Sequence, residues 1–223
     1  MHGMIDPGLL SSYIDHTLLK PEATASDMER LCAEARQYAF YGVCVNGSWV
    51  RSACQLLEGC GVKVVAVVGF PLGAMSSAAK LLETEFAIVD GAQEIDFVLN
   101  IGRLKQHDDR YVLGEIEGVV KAAARRPVKA ILETGLLSIE DKIRACRLAV
   151  QGGAQFVKTS TGFGPGGATV PDVKLMRQTV GPDVGVKASG GIRDFRTAVA
   201  MIEAGATRIG ASASVAIIKG DQR

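Results

Sequence analysis

The chain is 223 residues long, 48% hydrophobic and 22% charged, and its 25 Lys and Arg residues against 24 Asp and Glu leave a formal net charge of +1. That length buries a full core, and the composition lies far from the apolar-poor, highly charged kind that stays disordered. Balanced charge and 5% aromatic residues provide neither a basic stripe nor a stacking platform, which argues against a nucleic-acid partner.

Short apolar or β-branched runs recur along the chain and predict eight strands: Ile14 to Thr17, Gly42 to Asn46, Val62 to Phe70, Glu94 to Asn100, Val128 to Thr134, Phe156 to Thr161, Val184 to Ser189 and Arg208 to Ser212. Amphipathic stretches rich in helix formers stand between them, among them Ala25 to Tyr38, Ser77 to Asp90, Val112 to Arg125, Ser138 to Gln151 and Asp194 to Ala204. Ser138, with Glu140 and Asp141 in the first turn, opens one of these helices, and Gly152-Gly153 closes it. Alternating units on this scale predict parallel strands joined by crossover helices. Eight of them in so short a chain favour an α/β fold of the single-domain (β/α)8 TIM-barrel type, with residues 1–223 as one catalytic domain and no linker.

Met1 to Pro7 lacks a basic region followed by an apolar run, and no apolar stretch approaches the ~20 residues that span a bilayer. A cytoplasmic protein with no membrane partner is the expectation. Cys32, Cys44, Cys54, Cys60 and Cys146 are odd in number and lack C-x-x-C spacing, so reduced thiols are expected. His2, His16 and His107 do not stand at the i, i+3 or i, i+4 spacing of a helical metal site, so no metal is expected; His16 reads as a satisfied core histidine.

Parallel strands covered on both faces should be nearly continuous hydrophobic runs, so charges inside them need a reason. Asp96 lies in Glu-Ile-Asp-Phe-Val-Leu-Asn, Lys129 and Glu133 in Val-Lys-Ala-Ile-Leu-Glu-Thr, Lys158 in Phe-Val-Lys-Thr-Ser-Thr and Lys187 in Val-Gly-Val-Lys-Ala-Ser. Alternation turns Ile95, Phe97 and Leu99 toward the helices, which points Asp96 into the barrel, and the same parity turns Lys129 and Glu133 inward. Lys158 and Lys187 fall near the carboxyl ends of the sixth and seventh strands, the face that carries active sites in this architecture. A buried lysine beside a second cation is a route to an amine that attacks a carbonyl and forms a Schiff base. Asp96 would hold the second lysine charged and pass protons through it. A buried Lys-Asp-Lys-Glu network that only stabilises the barrel is the bland alternative.

The last strands run into Ser160-Thr161-Gly162, Ser189-Gly190-Gly191 and Gly210-Ala211-Ser212. In such barrels a phosphate often sits on the loops after the seventh and eighth strands, where free backbone N–H groups face it. Gly162 to Gly167 superficially looks like a dinucleotide fingerprint, but it carries Pro165 and comes late in the chain, outside a first βαβ unit. It is either a loop that closes over a substrate or a plain connector.

Together, Ile14-Asp15-His16-Thr17-Leu18-Leu19-Lys20-Pro21, Val43 to Asn46, Glu94 to Gly102, Phe156 to Phe163 and Val186 to Arg193 resemble the deoxyribose-phosphate aldolase family over about residues 14 to 215. The resemblance implies a (β/α)8 barrel and a class I aldolase that uses no cofactor and reversibly cleaves 2-deoxy-D-ribose 5-phosphate to D-glyceraldehyde 3-phosphate and acetaldehyde. It makes Lys158 the Schiff-base lysine, Lys187 the neighbour that lowers its pKa and Asp96 the partner of Lys187 in proton transfer. It also implies phosphate binding by Gly162, Gly190 and Gly191 and by Gly210 and Ser212 of the following turn. Many members carry a second serine where this chain has Ala213, some carry Lys in place of Phe163, and some end in a tail tyrosine that Gly220-Asp221-Gln222-Arg223 lacks. The expected partners are a phosphorylated sugar and acetaldehyde, and the expected assembly is a homodimer.

Thr17, Cys44 and Thr161 complete the expected substrate pocket, with Asp15, Thr17 and Glu133 at its polar floor. Cys44 and Asn46 share the inward parity of the second strand, which predicts either a thiol near the carbonyl pocket, open to reactive aldehydes, or a small buried hydrophobe. Two other functions fit the motifs: a lysine aldolase acting on another phosphorylated sugar, and a sugar-phosphate-binding barrel without catalysis.

Overall fold

The computed structural model describes residues 7–220; the amino-terminal stretch and the tail Asp221 to Arg223, on which two expectations above rest, lie outside the described residues. Eight parallel strands close into a barrel in sequence order: β1 (Ile14–Leu18), β2 (Gly42–Val45), β3 (Lys63–Val68), β4 (Glu94–Val98), β5 (Val128–Ile131), β6 (Phe156–Lys158), β7 (Gly185–Ser189) and β8 (Arg208–Ala211). Closure is made by β1 against β8, with Asp15 opposite Gly210 and His16 opposite Ala211.

Helices α1 (Pro7–Ser11), α2 (Ala25–Gln37), α3 (Val50–Leu56), α4 (Ser77–Val89), α5 (Ile101–Lys105), α6 (Asp109–Ala122), α7 (Ile139–Gln151), α8 (Val170–Val180), α9 (Phe195–Glu203) and α10 (Ser214–Lys219) complete the chain. None of the described helices is long and apolar enough to cross a membrane. Side-chain caps fix several starts: Ser76, Asp108, Ser138, Thr169 and Asp194 each accept a first-turn N–H.

Every expected strand forms, but several stop early for local reasons. The third ends before Gly69, which takes φ +61°, and the fifth ends before Glu133, a non-glycine residue at φ +55°. Beyond Lys158 the chain leaves the ladder as Thr159 and Ser160, both fully buried. The main apolar core lies between strands and helices and includes Ile95, Phe97 and Leu99, as alternation requires. A smaller cluster of Leu19, Cys44, Val65 and Val67 packs separately from that core.

Outside the barrel, Lys80 on α4 and Glu115 on α6 form an ion pair at 2.8 Å with both side chains fully buried. Lys80 Nζ also donates to the Val98 carbonyl at 2.7 Å, and Glu115 Oε2 accepts the Asn100 N–H at 3.0 Å, so the pair ties two helices to the exit of β4. Removing one partner strands the other charge in the core, so Glu115→Ala is expected to cost about 3–5 kcal/mol. Urea unfolding followed by circular dichroism measures it.

Candidate active site

Parity brings seven charged side chains together inside the barrel. Asp96, fully buried on β4, accepts from Lys158 Nζ and Lys187 Nζ at Oδ2 and from Lys129 Nζ at Oδ1, each at 2.8 Å. Lys187 also pairs with Asp15 of β1. Lys129 reaches Glu94 Oε2 at 2.5 Å, and Arg208 Nη1 bridges Asp15 Oδ1 at 3.0 Å and Glu94 Oε2 at 3.1 Å. The cluster therefore holds three carboxylates and four basic groups, one basic group more than the acids balance.

Burial alone would discharge these groups, and the close opposite charges decide the outcome. It opposes the charge on Lys187, but Asp15 and Asp96 outweigh it and hold the ammonium above the ordinary lysine range. Burial likewise opposes charge on Asp96, yet Lys129, Lys158 and Lys187 hold its carboxyl well below the usual value. Asp15 is lowered against its own burial by Lys187 and Arg208, and Lys129 is raised against its burial by Asp96 and Glu94.

The stability linked to these shifts has two edges. The depressed carboxyls contribute above their unfolded value of 3.8 and lose that contribution as pH falls toward their lower folded values. The raised lysines contribute below their unfolded value of 10.5 and lose it as pH rises through their folded values. A melting temperature that is flat from about pH 5 to 9 and falls below about pH 4 is expected in thermal scans.

Above the cluster, at the carboxyl ends of the strands, opens a cavity of about 340 Å³. Lys158, the last residue of β6, lies at this cavity, whereas Lys187 is the third residue of five in β7 and lies opposite Lys158 in register. The two lysines thus stand level in the barrel, and Lys187, fully buried, is not among the residues that line the cavity. Thr17, Thr161, Gly162, Gly190, Gly191, Gly210 and Ser212 all line the cavity.

Glycine is required at two of these positions. Gly190 has φ +92° and passes Gly167 so closely that a Cβ would come within 3.0 Å of its Cα. A Cβ on Gly210 would meet Lys187 Cε and the Ser189 side chain at 3.0 Å, so this glycine leaves the lysine its space.

Cys44 is not among the cavity-lining residues. It is fully buried in the inner apolar cluster, and burial pushes its thiol pKa up, so of the two readings of Cys44 the structure agrees with the small buried one rather than the open thiol. Glu133 faces Thr161, accepting its hydroxyl at Oε2 at 2.5 Å and its N–H at 3.3 Å, and so fixes the start of the loop through Gly162 and Phe163. That loop is a packed wall. The Ala168 N–H donates to the Gly190 carbonyl at 3.0 Å, and Phe163 meets the Phe70 ring edge-on at 5.4 Å.

Glu94, Arg208 and Tyr41 escaped the sequence reading. Tyr41 donates to Glu94 Oε1 at 2.7 Å and lies 3.3 Å beneath the Arg208 guanidinium. Glu94 stands two residues before Asp96, and the same parity that turned Asp96 inward could have found it. Lys20 and Arg193 were likewise not singled out, and both line the cavity.

A (β/α)8 barrel with a buried lysine pair under glycine-lined turns is the frame of a lysine-dependent enzyme, and comparison with known proteins narrows it. The family model for DeoC/LacD family aldolases matches residues 9–220, so the chain belongs to that family. It is 60% identical over 214 residues to the deoxyribose-phosphate aldolase of Alkaliphilus oremlandii, covering 96% of each chain. It is 57% identical over 211 residues to that of Bdellovibrio bacteriovorus, covering 95% of this chain and 96% of the relative. Among solved structures, the tetrameric deoxyribose phosphate aldolase from Aeropyrum pernix superposes with a TM-score of 0.91 at 35% identity, covering 97% of this chain and 92% of that one.

Proposed function

We propose that this aldolase reversibly cleaves 2-deoxy-D-ribose 5-phosphate to D-glyceraldehyde 3-phosphate and acetaldehyde through a Schiff base on Lys158. The observation that carries the reading is the position of Lys158: at the floor of a cavity walled by glycine turns, sharing one carboxylate oxygen of Asp96 with a second lysine held charged. The sequence relatives named deoxyribose-phosphate aldolase support the substrate.

The free amine of Lys158 attacks the aldehyde carbon of the open-chain sugar, and loss of water gives an iminium that draws electrons from the sugar chain. A base removes the C3 hydroxyl proton, the C2–C3 bond breaks, and C3 becomes the aldehyde carbon of glyceraldehyde 3-phosphate. The electron pair of the C2–C3 bond becomes the enamine of acetaldehyde on Lys158, C3 to C5 depart as glyceraldehyde 3-phosphate, and protonation of C2 followed by hydrolysis frees acetaldehyde and the amine. Asp96, which accepts from Lys158 Nζ, and the Lys187 ammonium, which donates to the same carboxylate oxygen, hold and move the protons.

The turns at Gly162, Gly190-Gly191 and Gly210 to Ser212 hold the phosphate by backbone N–H groups. Gly190→Ala, strained at φ +92° and crowding Gly167, is expected to raise KM for the phosphorylated sugar about tenfold or more, in line with a strain of about 1–3 kcal/mol. Steady-state kinetics reads it.

The protein is further read as a cytoplasmic homodimer. The exposed α4 face of Leu82, Phe86 and Val89 supports self-association, and sedimentation velocity tests the dimer. A coupled assay that follows glyceraldehyde 3-phosphate release from 2-deoxyribose 5-phosphate tests the reaction. Turnover supports the reading, and binding of the sugar phosphate without turnover replaces it with a non-catalytic barrel.

A further inference from the structure

His16 is a buried titratable side chain that the proposed chemistry leaves unused. It lies on β1 between Asp15 and Thr17, is 4% exposed, and stands opposite Ala211 of β8 in register. Its Nδ1 is 3.0 Å from Ser214 Oγ at the start of α10, and its Nε2 is 2.8 Å from Glu34 Oε2 on α2. Ser214 Oγ donates in turn to the Ala211 carbonyl at 2.8 Å. Ala211 and its neighbours Gly210 and Ser212 form one wall of the catalytic cavity. A continuous chain of hydrogen bonds therefore runs from α2 through His16 and Ser214 to that wall.

Ser214 has a single hydroxyl proton, already given to Ala211, so it can only accept from Nδ1. The Glu34 carboxylate also only accepts, so Nε2 must donate as well. Both contacts at once need an imidazolium. A neutral ring keeps its proton on the nitrogen facing the carboxylate, and Nδ1 then becomes an acceptor that draws the Ser214 hydroxyl away from the Ala211 carbonyl.

We propose that His16 is a positioning residue that, through Ser214, holds the Gly210 to Ser212 turn in the shape that receives the phosphate end of the substrate. The inference rests on the reading that this turn binds phosphate.

The groups facing His16 are Glu34 from α2, Ser214 from α10, Ala211 from β8 and the Phe40 ring, 5.2 Å away; Tyr38 stacks on Phe40 at 5.8 Å, with Lys219 Nζ 5.6 Å over its own ring. Burial holds His16 below the ordinary histidine value against the opposing pull of Glu34 and of the Ala211 backbone. The tether to Ala211 is therefore complete at acid pH and relaxes as pH rises through the folded value.

The test compares wild type with His16→Leu, His16→Asn and Ser214→Ala. Leu fills the space without hydrogen bonds, whereas the Asn amide can still donate near the Nδ1 position. Loss of one neutral hydrogen bond predicts that Leu raises KM for 2-deoxyribose 5-phosphate, and the dissociation constant of inorganic phosphate in calorimetry, about fivefold. Ser214→Ala should do the same, and Asn should stay close to wild type. kcat, and kcat/KM for unphosphorylated 2-deoxyribose, should change little. The wild-type advantage over His16→Leu in phosphate affinity should shrink between about pH 5 and pH 8.

Equal phosphate affinity in wild type and both tether-breaking variants overturns the inference, as does an equal loss with both sugars. If His16→Leu fails to fold, Ser214→Ala decides. Phosphate calorimetry needs no turnover, so failure of the aldolase reading, seen as wild type that cleaves nothing, is distinguished from failure of this one.

Discussion

Lys158→Leu is expected to lower cleavage of 2-deoxyribose 5-phosphate by about 10⁴-fold or more while the barrel stays folded. The loss is large because the reaction loses its covalent electron sink rather than a stabilising contact, and the other buried amines cannot take over. Lys187 is committed to Asp15 and Asp96, and Lys129 to Glu94 and Asp96. The fold tolerates the change because Asp96 keeps two ammonium partners and the removed group belongs to a cluster in which basic groups outnumber acids. Replacing a buried polar network member by an apolar side chain of similar volume is often neutral or stabilising when no partner is stranded. Thermal melts should therefore match wild type or exceed it, while the coupled assay reads near background. A variant that retained a substantial rate would remove Lys158 from the mechanism.

Asp96→Asn should behave differently, losing both activity and stability. The carboxylate receives three lysines and is fully buried, so the amide leaves Lys129, Lys158 and Lys187 facing one another with much of their counter-charge gone. Breaking a buried ion pair in this way costs about 3–5 kcal/mol. Urea titration should show that loss at neutral pH and a smaller one near pH 3, where the wild-type carboxyl also begins to lose its contribution. Activity should fall with it, because the group that holds Lys187 beside the reacting amine is gone. Unchanged stability would mean that Asp15 and Glu94 balance the lysines without Asp96.

These contrasting expectations trace back to features that differ in how far the sequence displays them. Alternation in Glu94 to Asn100 and Val128 to Thr134 was enough to turn Asp96 and Lys129 inward, because a charge among outward-facing Ile, Phe and Leu has one place to go. The rhythm of strands and helices similarly made the barrel legible, since crossover connections leave few topologies.

Pairing across the closed barrel was not legible. Asp15 and Lys187 are separated by 172 positions and meet only because β1 closes against β8. The same holds for Arg208 with Asp15 and Glu94, whose contacts span 193 and 114 positions. Parity gave Cys44 an inward direction but not a depth, and the apolar neighbours Leu19, Val65 and Val67 that seal it come from other strands and loops. Glu133 shows a local limit: its left-handed backbone ends β5 early and turns the carboxylate onto Thr161.

The most direct test of the account is reductive trapping. The protein is incubated with acetaldehyde, reduced with borohydride, digested and mapped by peptide mass spectrometry. An N-ethyl adduct at Lys158 is expected in strong preference to the other lysines, Lys129 and Lys187 included. Adducts scattered over surface lysines, with Lys158 unmodified, would contradict it and leave the buried lysines as structural supports of a phosphate-binding barrel.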